Sequence, residues 1–95
     1  MLNVEIVYAD SRGVPYVRDR FSSNGHAEAE VRARHELDVG QYLASAQQAL
    51  QRGPVLARIQ SHGSVVWILT IKEREAERQS AAFASTPSKS HQTDG

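Results

Sequence analysis

Cysteine is missing from this 95-residue chain. Its absence excludes disulfide staples, thiolate nucleophiles, cysteine-based zinc sites and iron–sulfur clusters together. A secreted domain this small normally needs such staples to support a thin core, so the cytoplasm is the expected compartment. Neither sign of charge dominates: 11 Lys and Arg stand against 11 Asp and Glu. Bulk charge therefore gives the whole molecule no pull toward phosphate. The balance is local too, since residues 1–20 set Arg12, Arg18 and Arg20 against Glu5, Asp10 and Asp19. The longest apolar run is Val65-Val66-Trp67-Ile68-Leu69, far short of the ~20 residues of a membrane-spanning helix. Met1-Leu2-Asn3-Val4-Glu5 has neither the basic stretch nor the long apolar stretch of a signal peptide, and none is expected.

What the chain does contain is alternation. Leu2, Val4, Ile6 and Tyr8 fall on one face of a first strand, with Asn3 and Glu5 on the other. Asp10-Ser11-Arg12-Gly13 has the chemistry of a turn: an Asp whose carboxylate bonds forward to the backbone, and a Gly that accepts positive φ. A second strand runs from Val14 to about Ser22. Pro15 cannot donate a ladder hydrogen bond, so this strand starts at a sheet edge. Residues 55–61 and 64–72 form a second hairpin about Ser61-His62-Gly63-Ser64. Its last strand is apolar on both faces, which predicts a central or covered position in which Val66 and Ile68 need cover.

Between the hairpins, residues 26–52 are rich in Ala, Glu, Arg and Gln, all strong helix formers. Ser22-Ser23-Asn24-Gly25 precedes them with N-cap chemistry. At 100° per residue, Val39, Tyr42, Leu43, Ala46, Ala49 and Leu50 share one arc of roughly 120°, and Leu37 falls opposite. Asp38-Val39-Gly40-Gln41 also has the form of a capping box. These two features predict a kink or break near residues 37–40. Arg52-Gly53-Pro54 is a stop signal. Residues 72–79 form a charged helical stretch. The expected organisation is one compact α+β domain over residues 1–79 and a disordered polar tail over 80–95. The domain is a four-stranded antiparallel sheet of two β-hairpins (ββαββ) with one long, kinked helix packed on one face.

Catalytic and metal-binding patterns are incomplete. His35-Glu36-Leu37-Asp38-Val39 lacks the second His of the zinc-protease signature, because Val39 occupies its place. His26-Ala27-Glu28 is similar to the ligand-and-acid pair of zinc deaminases, which also need paired cysteines. No Ser occupies a Gly-x-Ser-x-Gly elbow. Ser61 and His62 sit together only at a hairpin tip, and His91 lies in the tail. Gly13, Gly25, Gly40, Gly53 and Gly63 are isolated, so no glycine-rich phosphate loop exists. The expectation is a protein that is not an enzyme and uses no metal and no cofactor.

The second strand carries the binding chemistry. In Val14-Pro15-Tyr16-Val17-Arg18-Asp19-Arg20-Phe21, strict alternation puts Tyr16, Arg18 and Arg20 on one face. An aromatic with two arginines there can grip nucleic acid or anchor a protein interface. The plainer reading is cross-strand pairing of these arginines with Glu5 and Asp19. In its strand–turn–strand–helix layout this region resembles the three-stranded arm-type DNA-binding domains of phage integrases. The whole ββαββ plan resembles that of small phage-encoded inhibitors of host defence such as anti-CRISPR proteins, which implies action by docking. The leading expectation is therefore a non-catalytic module that docks on a larger protein, or on itself as a homodimer, through Tyr16, Arg18, Arg20, Val66 and Ile68. The alternative is a nucleic-acid-binding or regulatory domain that uses Tyr16, Arg18 and Arg20. No membrane partner is expected.

Overall fold

A computed structural model describes the backbone of residues 1–47 and 52–90, and the side chains of residues 1–46 and 52–82. Its elements in chain order are β1 (Leu2–Ala9), β2 (Pro15–Ser23), α1 (His26–Gln47), β3 (Leu56–Ser61), β4 (Ser64–Thr70) and α2 (Ile71–Ser90). The four strands form one antiparallel sheet in the order β2-β1-β3-β4. This is the expected α+β architecture of two hairpins flanking a long helix. No helix among the described residues is long and apolar enough to cross a membrane.

Both turns form as their residues dictate. The Asp10 carboxylate accepts the backbone N–H groups of Arg12 and Val14 at 2.9 Å each, and Gly13 takes φ +85°. In the second hairpin His62 (φ 52°) and Gly63 (φ 81°) are both left-handed, which gives a two-residue turn whose twist matches the strands. Pro15 opens β2, and β2 is an edge as expected.

One side of the sheet carries the core. Val4, Ile6 and Tyr8 of β1, Ala57 and Ile59 of β3, and Leu69 of β4 pack against Ala29, Ala33 and Leu37 of α1. The helix residues repeat every fourth position, and two of the three are alanines. Small residues let α1 lie close over the bulky chains of the sheet, so most of the apolar volume comes from the strands. This corrects the arc expected from the sequence. Leu37 is fully buried, whereas Val39, Tyr42 and Leu43 are exposed. Ala49 and Leu50 of that arc lie outside the described residues, as does His91; the expected stop at Arg52-Gly53-Pro54 is described and is not helical. The break expected at residues 37–40 is also not seen, because α1 is continuous from His26 to Gln47.

β4 is an outer strand, not a central one. Leu69 enters the core and Trp67 packs against it, but Val65 and Ile68 are half exposed because no described element covers the other side of the sheet, and the bulge residue Val66 is half exposed too. At the end of β4 the chain turns into α2 through a reciprocal cap. The Glu73 N–H donates to Thr70 Oγ1 (3.2 Å), and the Thr70 N–H donates to Glu73 Oε1 (2.9 Å). The Thr-x-x-Glu spacing at 70–73 is the signal in the sequence for this boundary. α2 continues past Gln79 to Ser90, and residues 91–95 lie outside the described residues.

Gly40 has a packing role inside α1. A Cβ there would meet Tyr8 Oη at 2.7 Å and the Pro54 ring at 3.0 Å. We expect Gly40→Ala to destabilise the protein by about 1–3 kcal/mol through overpacking, although Ala is the better helix former by about 1 kcal/mol. Urea unfolding should show a smaller loss in a Tyr8→Phe background, where the closest clash is gone. An equal loss in both backgrounds would rule out the Tyr8 contact as the cause.

Candidate functional site

The side of the sheet away from α1 is the candidate site, and strand register builds it. Position by position across the four strands it carries Val65, Gln60, Asn3 and Ser22, then Ile68, Arg58, Glu5 and Arg20, then Thr70, Leu56, Val7 and Val17. Two bulges set this arrangement. Ile6 faces Asp19 while the adjacent Val7 faces Val17, so Arg18 is an extra residue in β2. Ile59 faces Trp67 while Gln60 faces Val65, so Val66 is an extra residue in β4.

The bulge at Arg18 changes the expected site. Strict alternation would align Tyr16, Arg18 and Arg20. Instead Tyr16 pairs with Tyr8 on the core side, with ring centroids 6.3 Å apart, and the Arg18 guanidinium lies 4.9 Å from the centre of the Tyr8 ring. There Arg18 lines a depression with Asp19, Glu36, Val39, Gly40 and Leu43. Arg20 alone reaches the open side. Val66 and Ile68 lie on the opposite edge strand, three strand spacings or about 14 Å from β2. The structure thus brings Arg20 and Ile68 onto one face and places Tyr16 and Arg18 on the other.

At the centre of the open face sits Glu5, only 2% exposed. Arg58 Nε donates to its Oε1 at 2.7 Å, and Arg20 donates to its Oε2 from Nε at 2.8 Å and from Nη2 at 2.7 Å. Burial alone would raise the Glu5 carboxyl pKa. The hydrogen bonds and charges of Arg58 and Arg20 outweigh burial and hold it below its ordinary value of 4.5. The Arg58 side chain is 32% exposed and that of Arg20 62%. Around this trio Ile68 (51% exposed) and Val65 (45%) give the face its apolar side, and the extra residue Val66 between Val65 and Trp67 is 49% exposed. The pairing of Arg20 with Glu5 follows the cross-strand reading of the sequence. Arg58 was missed, although its position two residues after Leu56 in an alternating strand marked it as outward-facing.

A second charged feature holds α2 to α1. Arg34 binds Glu77 through Nε (3.0 Å) and Nη2 (3.1 Å), and Arg74 binds Asp38 through Nε (2.9 Å) and Nη2 (2.7 Å). Arg74 also reaches Glu77, and Gln41 Nε2 donates to Glu75 at 2.6 Å. Arg74 holds Asp38 below its usual 3.8, and Arg34 with Arg74 holds Glu77 below its usual 4.5. The Arg34 guanidinium also lies over the Trp67 ring.

The histidines take separate positions. His26 pairs with Glu30 at 2.8 Å, one turn along α1. His35 is exposed beside Ser22, Ser23, Glu28, Val31 and Arg32, and His62 lies at the turn tip 3.2 Å from Ser61 Oγ. Among the described residues no group of three His, Asp or Glu side chains is placed to hold a metal ion.

Two outcomes follow from these charges. Arg58→Ala strips Glu5 of its better-buried partner and should cost about 2 kcal/mol. Arg20→Ala removes a solvent-screened partner and should cost about 1 kcal/mol or less, as chemical denaturation would measure. Acid is the second probe. The folded pKa values of Glu5, Asp38 and Glu77 lie below their unfolded values, so their contribution is complete above about pH 4.5 and is lost as pH falls through the lowered values. Trp67 fluorescence should report α2 loosening in that range, and the onset should move to higher pH in Glu5→Gln, which removes one of the three.

No known protein family, curated protein or solved structure matches the chain.

Proposed function

We propose that this protein is a non-catalytic docking module that binds a larger protein through the open face of its sheet. The observation that carries this reading is the make-up of that face. Half-exposed Val65 and Ile68 lie on the same side of the sheet as a carboxylate that fixes two guanidinium groups at the centre. Apolar area supplies the driving force for association, and positioned arginines are frequent anchors of interfaces. The backbone of a four-stranded sheet holds these groups rigid before a partner arrives, which lowers the entropic cost of binding. An inhibitor that works by occluding a larger protein is one form such a module takes, with the cytoplasm as its compartment.

Nucleic acid is the weaker reading. Tyr16 and Arg18 lie with Tyr8 on the core side, while Arg20 is committed to Glu5 on the other side. The aromatic–arginine stripe on which that reading depended is therefore divided.

Affinity capture from a lysate of the native cell tests the proposal when run with two variants. A stoichiometric partner should be retained by the wild type and by Val31→Asp, on the exposed outer side of α1. It should be lost from Ile68→Asp, which places an unpaired charge in the apolar part of the open face. A partner that survives Ile68→Asp and leaves with Val31→Asp would move the docking site to the helix.

A further inference from the structure

The charges of the open face do not balance. Its strand positions are Asn3, Glu5, Val7 and Ala9 in β1, Pro15, Val17, Arg20 and Ser22 in β2, Leu56, Arg58 and Gln60 in β3, and Val65, Ile68 and Thr70 in β4. Only Glu5, Arg20 and Arg58 among them are charged, which leaves two cations on one carboxylate. Both Glu5 oxygens are engaged by these arginines. Arg58 spends only Nε, and Arg20 spends Nε and Nη2. Among the described residues Arg58 Nη1, Arg58 Nη2 and Arg20 Nη1 have no partner. Arg58 is two-thirds buried between Ile68 and the Glu5 strand, so its idle donors lie in a setting where a second oxyanion would bind strongly.

We propose that these donors receive a carboxylate, an Asp or Glu side chain that the docking partner presents among apolar residues. The inference rests on the docking reading and names the chemistry of the partner. Charge complementarity selects this occupant. The central charge of the face is positive, its surroundings are uncharged, and Ile68, Val65 and Leu56 border the arginines with apolar surface. A second copy seated face to face would set the same unbalanced cations against each other, with each Glu5 already used. A nucleic-acid backbone would bring many phosphates to a face with two arginines, and the apolar positions would then have no counterpart.

A random peptide display library panned against the folded protein, with the enriched peptides resynthesised, tests the assignment. The expected result is an Asp or Glu flanked by apolar residues, with 15N-amide shifts mapping binding to Glu5, Arg58 and Ile68. Replacing that acid by its amide should weaken binding about tenfold or more. Arg58→Lys should reduce that difference severalfold, because an ammonium held on Glu5 lacks the planar Nη1/Nη2 edge that takes a carboxylate in two parallel hydrogen bonds; an unchanged amide spectrum elsewhere would show that the variant is folded. Peptides that bind this face equally well as acid and amide would overturn the inference and leave docking intact. Peptides that bind elsewhere, or none that shift these amides, would overturn both. An oligonucleotide that displaces the bound peptide with a steep salt dependence would overturn both in favour of nucleic acid.

Discussion

A single carboxylate in the middle of the sheet ties three strands to one register. Glu5 lies opposite Arg20 in β2 and Arg58 in β3. Sliding either neighbour by one residue would turn its arginine to the core side, among Val4, Ile6 and Ile59, and leave Glu5 buried with one partner. Leaving that buried charge without Arg58 costs about 2 kcal/mol, more than an ordinary surface pair contributes. Apolar alternation with one buried face already penalises a slip of one residue, but a slip of two keeps every apolar side chain on the core side. Glu5 supplies what the missing cover cannot: a penalty for every wrong pairing of the central strands.

The two sides of the sheet are thus stabilised by different means. On the core side α1 brings alanines and one leucine to bulky strand residues, and close approach supplies the packing. α2 adds little apolar contact and is held by arginine–carboxylate forks from its first turns to Arg34 and Asp38. Both helices are spent on that side, because β2 and β4 each feed their helix across it: Ser23 leads into α1 over the core, and the Thr70–Glu73 cap starts α2 beside Trp67. The chain has no described element left to cover the other side. The open face follows from the connectivity.

Much of this plan is legible in the residues. Asp10 and Gly13 mark the first turn, Gly63 the second, Pro15 an edge, and the alternation of β1 names its core residues. Two features escape for physical reasons. A bulge inserts one residue without changing composition, so Arg18 reads as a regular strand position, yet every side chain N-terminal to it in β2 changes face relative to Arg20. The buried stripe of α1 escapes because alanine carries little hydrophobic weight, and Val39, Tyr42 and Leu43 outweigh Ala29 and Ala33 in any arc drawn from the sequence. The sheet had already filled the core, and the helix needed only to be thin. Similarly, a strand apolar on both faces predicts cover on both; among the described residues β4 has cover on one.

The central ion trio also bears on what such a face admits. An outer strand without a charged residue, from Ser64 to Thr70, is the kind of edge that recruits further copies. The other edge is guarded by Pro15, a bulge and the charged run Arg18-Asp19-Arg20. At β4 the bulge at Val66 interrupts regular pairing, and beside it the excess positive charge of Arg58 and Arg20 disfavours a second open face laid across the first. A partner without an acid at the matching place would bury idle guanidinium donors, and the lost hydration would offset the gain from apolar contact. On the docking proposal, the same two cations that leave the face unbalanced would discriminate among its occupants, whereas Val65 and Ile68 would set only how strongly a suitable one is held.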